Sequence, residues 1–102
     1  MTEETVPLSA VSLETFSPHV NTAFTLHWEG EECPLTLTEA SGVRGGNPAK
    51  RQPFSLLFSG TPGRVFPQQI YPLTHPEMGR LEIFLVPVGA SPEGTQYEAI
   101  FA

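Results

Sequence analysis

Leu81-Glu82-Ile83-Phe84-Leu85-Val86-Pro87-Val88 is the stretch whose reading decides the fold. It is the longest nearly unbroken apolar run in the chain, and Ile and Val suit a pleated strand. Apolar and polar residues alternate only through Leu81, Glu82 and Ile83, and beyond them both faces are apolar. That pattern predicts a strand covered on both sides. It would be the central strand of an all-β domain, a small antiparallel β-sandwich or partly open β-barrel of six to seven strands.

Downstream, residues 89–94 are turn-rich and lead into residues 95–101. There Tyr97, Ala99 and Phe101 share one face and Gln96, Glu98 and Ile100 the other. This strand runs to the end of the chain and is expected to be structural. Upstream, residues 74–79 form a turn, and residues 64–73 read as a strand broken by Pro67 and Pro72. Gln69 and Tyr71 lie on one face of it and Ile70 on the other. Phe54-Ser55-Leu56-Leu57-Phe58 is a further strand with Phe54, Leu56 and Phe58 inward.

Residues 22–40 predict a hairpin. Phe24, Leu26 and Trp28 alternate with polar residues, as do Cys33, Leu35 and Leu37. A two-residue turn at Gly30-Glu31, of type II′, would set Trp28 opposite Cys33, Leu26 opposite Leu35 and Phe24 opposite Leu37. That register also sets Glu29 against Glu32, which a wider loop would relieve. Pro34 cannot donate to a ladder, so an edge is expected there. Residues 11–16 read as a short edge strand, or as a one-turn helix in which Ser12 and Thr15 weakly resemble a capping box. Residues 1–10 read as a loose arm. The whole, residues 1–102, is one domain without an internal repeat.

The chain has 102 residues, 11 Pro, 9 Gly and a formal charge of −6. That much turn chemistry in a short chain favours many strands. All eleven acids are Glu, and Cys33 is the only cysteine, so no internal disulfide forms. The acidic balance disfavours nucleic acid and anionic membranes. No signal peptide or apolar run of membrane-spanning length is evident. The expected location is the cytoplasm, with signal-less export or association with a particle as alternatives.

Charge is segregated. Residues 1–40 hold seven Glu and no Lys or Arg, whereas residues 44–64 hold Arg44, Lys50, Arg51 and Arg64 and no acid. The Gly-rich loop 40–53 is long for a compact domain, and such loops tend to carry function. Its cations, with Arg64, could hold an anionic ligand or acidic peptide, or they could pair with the chain's own Glu surplus. No Gly-Lys-Ser/Thr follows at P-loop spacing.

Other chemistry is thinner. His27, Glu29, Glu31, Glu32 and Cys33 cluster in sequence, but Cys33 points inward and His27 and Glu29 outward, which defeats a zinc site unless His19 or His75 contributes and the hairpin is bulged. A Cys33–His pair would need a depressed thiol pKa, and two preceding Glu oppose that. His75 before Pro76 reads as a turn histidine bonded to backbone. Tyr71 and Tyr97 read as strand tyrosines spanning core and surface. No cofactor, metal or catalytic constellation is expected. Leu57, Phe84, Val86 and Ile100 fall opposite the core residues. They form an apolar outer face that either meets a protein partner or second copy, or is covered by residues 11–16 or by barrel closure.

Leu13-Glu14-x-Phe16, Phe24-x-Leu26, Pro53-Phe54-Ser55-Leu56-Leu57-Phe58-Ser59-Gly60, His75-x-x-Met78-Gly79 leading into residues 83–88, and Tyr97-Glu98-Ala99-Ile100-Phe101 together cover most of residues 13–101. This pattern resembles a small, uncharacterised bacterial family of β-rich single-domain proteins. Some members are encoded near phage-tail or collar-like proteins. The resemblance implies a β fold and hands over no catalytic residues. The expected function is a non-enzymatic structural or protein-interaction domain, a component or accessory of a phage-tail-like assembly. The alternative is a binding module for an anionic ligand or acidic peptide through residues 44–51.

Overall fold

The computed structural model describes residues 5–7, 10–43 and 52–101. Six antiparallel strands close a barrel in the order β1-β2-β3-β6-β5-β4. They are β1 (Ala23–Trp28), β2 (Glu31–Gly42), β3 (Phe54–Ser59), β4 (Gln69–His75), β5 (Gly79–Ser91) and β6 (Gly94–Phe101). No helix among the described residues is long and apolar enough to cross a membrane.

Two long strands make closure work. β2 pairs with β1 as far as Thr36 and with β3 from Thr36 onward. β5 pairs with β4 through Leu85 and with β6 from Val86 onward. Each long strand thus changes partner midway, and each ladder to the second partner carries a register shift, at Leu37/Glu39 and Pro87/Gly89. Such irregularities bend a strand, so β2 and β5 each turn a corner and serve two layers. The sandwich and the barrel become one object. The topology also maps onto itself when β1, β2 and β3 exchange with β4, β5 and β6. The sequence carries no repeat that would announce this symmetry.

The alternating residues fill the interior. Phe24, Leu26, Leu35, Leu37, Phe54, Leu56, Phe58, Tyr71, Leu73, Leu81 and Leu85 have no exposed surface. Burial of this kind stabilises by roughly 1.5–3 kcal/mol per large side chain.

Both barrel ends are stoppered. At one end sits α1 (Leu13–Phe16), continued by a 3-10 turn at Ser17–His19. Ser12 N–H donates to Thr15 Oγ1 at 2.9 Å, so the helical reading of this segment holds and the strand reading does not. Phe16 is fully buried, with ring centroids 5.9 Å from Phe54 and 5.7 Å from Phe101. At the other end the β3–β4 connection, residues 60–68, crosses the opening with Phe66 buried against Tyr71 and Tyr97. Residues 64–68 are therefore a stopper, and the strand starts at Gln69.

Two further expectations are corrected. The hairpin turn is Glu29-Gly30, with Trp28 opposite Glu31, Leu26 opposite Cys33 and Phe24 opposite Leu35. Glu29 (φ 48°) and Gly30 (φ 81°) both have positive φ, as a type I′ turn requires. This two-residue slip keeps every side chain on its face and puts His27, not Glu29, across from Glu32. The run 81–88 is not covered on both sides. Leu81, Ile83 and Leu85 are buried, Glu82 and Phe84 are exposed, and Val86 is half-buried. Pro34 pairs with Thr25 of β1 on a stretch where β2 has no β3 partner, so its missing N–H costs no second ladder.

Candidate functional site

The outer surface of β4, β5 and β6 carries an apolar row. Ile70 on β4 is the direct partner of Phe84 on β5. Two residues along β5, Val86 faces Glu98 on β6, and Glu98 in turn faces Leu57 on β3. Ile100 is the next outward residue of β6 and faces Ser55. Phe84 is 46% exposed, Ile70 58% and Ile100 66%. Leu57 and Val86 are half-buried. The strand period puts these side chains outside because their neighbours Tyr71, Leu85, Ala99 and Leu56 are inside. Neither predicted cover lies over Phe84 or Ile100. α1 stoppers the barrel end, and closure turns the inner faces inward.

Ile70 belongs to this face and was not among its expected members. Its outward direction is legible from Gln69 and Tyr71, but its pairing with Phe84 is tertiary.

The acids on and beside the face are Glu82, two residues before Phe84, Glu98 between Val86 and Leu57, and Glu39 opposite Leu57. Arg80 is the cation on the same strand, four residues from Phe84. At ~3.3 Å per residue it lies about 13 Å along β5.

Of the predicted cationic set, Arg44, Lys50 and Arg51 lie outside the described residues. Arg64 sits at the far barrel end. Two of its guanidinium nitrogens donate to the two Glu31 carboxylate oxygens at 2.7 Å each. Its Cζ stands 4.7 Å from the Phe66 ring centroid. Glu31 is held below the usual carboxylate range, first by that hydrogen bond and then by the Arg64 charge. Arg64 here fastens the stopper 60–68 to the start of β2.

A cleft of about 270 Å³ opens at the β1–β4 seam, lined by Thr25, Thr74, His75 and Pro76. His27 Nε2 lies 2.8 Å from Thr74 Oγ1 beside it. His75 is buried, and both of its ring nitrogens are engaged. Nδ1 accepts the Glu77 and Met78 amides at 3.1 and 3.4 Å, and Nε2 lies 3.0 Å from Thr22 Oγ1. Thr22 Oγ1 donates to the His19 carbonyl, so the imidazole is neutral with its proton on Nε2. Burial, then the neighbouring His19, pushes the His75 pKa down. This is structural bonding of a turn. Cys33 is a buried core residue, and among the described residues no group of three or more His, Cys, Asp or Glu is placed to hold a metal ion.

A family profile described as a domain of unknown function, DUF6916, matches residues 11–101. The chain belongs to this family. The DUF6916 match begins at Val11, which is buried, and ends at Phe101, so it spans α1 and all six strands. No curated protein and no solved structure matches the chain. What a DUF6916 domain of this sequence can do is therefore read from its own surface, where Ile70, Phe84 and Ile100 stand exposed on β4, β5 and β6.

Proposed function

We propose that this chain is a non-enzymatic protein-interaction domain that presents the outer face of β4, β5 and β6 to a protein partner. One observation carries the reading: Ile70, Phe84 and Ile100, each about half or more exposed, stand on three adjoining strands whose inward residues Tyr71, Leu73, Leu81, Ile83, Leu85, Tyr97 and Ala99 are buried in the core. Large apolar side chains gathered on one surface gain roughly 25 cal/mol per Å² when covered, and contiguous patches of this kind mark contact sites. A closed barrel with both ends stoppered needs no reorganisation to dock, which lowers the cost of binding. The tail-like assembly implied by the family resemblance is the setting in which such a part fits.

Photo-crosslinking tests the proposal. A benzophenone side chain is placed at position 84, or at exposed Thr61 on the stopper as a control, and the protein is irradiated in its native cells. The expected result is a discrete adduct from position 84 alone, competed by excess parent protein but not by an Ile70→Ser/Ile100→Ser variant. Equal labelling from both positions, or none from position 84, overturns the reading.

A further inference from the structure

Resting on that reading, we infer that the partner is a different protein whose contact segment is apolar at its centre and cationic at its rim, and not a second copy of this chain. The argument is charge complementarity. Glu98 stands between Val86 and Leu57 on the face itself, and exposed Glu82 and Glu39 flank it. The nearest described cation along β5 is Arg80, beyond Glu82. The whole chain carries a formal −6.

A two-fold contact between copies would set this patch against itself. Phe84 and Ile70 would be covered, but Glu82, Glu98 and Glu39 of both copies would be gathered into one interface with Arg80 as the one described cation of β5 to meet them, and an excess of like charge at an interface is costly. The chain's cationic segment, residues 44–51, contains Gly, Asn, Pro and Ala beside its Arg and Lys and no large apolar side chain, so it supplies charge without an apolar centre. A foreign segment with Leu-, Ile- or Phe-type side chains framed by Lys or Arg satisfies both halves of the surface. The apolar centre provides affinity, and the acidic surround provides steering and choice of partner.

The probes are three fluorescein-labelled eighteen-residue peptides: an amphipathic Leu/Lys helix, its Leu/Glu counterpart and oligolysine. Each is titrated by anisotropy against the full chain at physiological salt, with sedimentation velocity of the chain alone in parallel. The expected result is saturable binding of the Leu/Lys peptide. Affinity should drop at least tenfold for the Leu/Glu peptide, for oligolysine, for the Ile70→Ser/Phe84→Ser variant and for the Glu82→Gln/Glu98→Gln variant. Far-ultraviolet circular dichroism confirms that both variants are folded.

Equal binding of the Leu/Lys peptide to the Glu→Gln variant overturns the inference, as does equal binding of oligolysine to the parent. A parent dimer that dissociates on Phe84→Ser substitution also overturns it, in favour of a second copy, while leaving the interaction-domain reading standing. Absence of peptide binding together with a discrete position-84 adduct overturns the cationic partner alone. Absence of both overturns the two together.

Discussion

Tyr97 reaches from the inner face of β6 to accept the Phe66 backbone N–H on its hydroxyl at 2.9 Å, inside the barrel. The strand that closes the sheet thus also holds the stopper of its open end. Thr95, two residues earlier on the same face, donates to the Arg64 carbonyl at 2.7 Å. From the other side of the opening, the Tyr71 hydroxyl donates to the Pro67 carbonyl. Burial raises the pKa of both tyrosines.

Tyr97→Phe should destabilise the fold by about 1–3 kcal/mol, because the buried Phe66 N–H loses its acceptor while the ring volume stays. Urea unfolding measures this. A change below about 0.3 kcal/mol would show that water or another carbonyl replaces the hydroxyl.

Gly94 lies at φ +150° in the β5–β6 turn, and a Cβ there would collide with the Gly60 carbonyl and the Ser59 hydroxyl. Gly94→Ala should therefore cost more than about 2 kcal/mol, adding backbone strain to overpacking. Gly63→Ala, at φ +80° with open space around it, meets the strain alone and should cost less. Thermal melts of the pair give the comparison, and equal losses would refute the collision.

His75 is depressed in the folded chain, first by burial and then by His19. The unfolded chain therefore takes up a proton first as pH falls. Its contribution to stability is fully present above the unfolded value of about 6.5 and is lost as pH falls from there through the lower folded value. Stability should decline between pH 7.5 and 5.5. His75→Asn, which keeps an acceptor for the turn amides, should flatten that slope. An unchanged slope in the variant would assign the decline to other groups.

Phe84 and Leu85 are adjacent, yet 46% and 0% exposed. Phe84→Ser should cost about 1 kcal/mol or less, within the range of strand propensity. Leu85→Ala should cost about 2–5 kcal/mol. Denaturant midpoints of the two variants test whether β5 separates core from surface at this point. Similar losses would mean that Phe84 is covered within the chain.

Much of the barrel was legible because strand periodicity is a local property. Alternation alone puts Phe24, Leu26, Leu35, Phe54, Leu56, Phe58 and Phe101 on inward faces, and all are buried, whereas Tyr71 and Tyr97, expected to span core and surface, are buried as well. The hairpin register differs by two residues from the one a Gly30-Glu31 turn predicts, because parity is insensitive to an even slip and the turn instead uses Glu29 at positive φ. The helical alternative at residues 13–16 prevails because Phe16 fills the barrel end against Phe54 and Phe101, and no local signal announces that cavity. Residues 64–73 read as one strand broken at Pro67 and Pro72, yet only the part from Gln69 is strand and residues 64–68 form the stopper.

The candidate face divides in the same way. That Phe84, Val86, Leu57 and Ile100 point away from the core follows from alternation. Their neighbours do not follow from it. Ile70 joins Phe84 through the β4–β5 ladder, and Glu98 enters the face between Val86 and Leu57.

By itself, the sequence determined the all-β class, the inward half of nearly every strand and the acidic character of the surface, because each depends on residue type and a period of two. Only the tertiary structure decided that the barrel closes, that β2 and β5 each serve two partners, that Phe16 and Phe66 stopper its ends and that Phe84 stands in the open. These depend on long-range pairing and on how strands bend. Local pattern does not encode them, because the same alternation satisfies a flat sandwich, an open barrel and a closed one equally well.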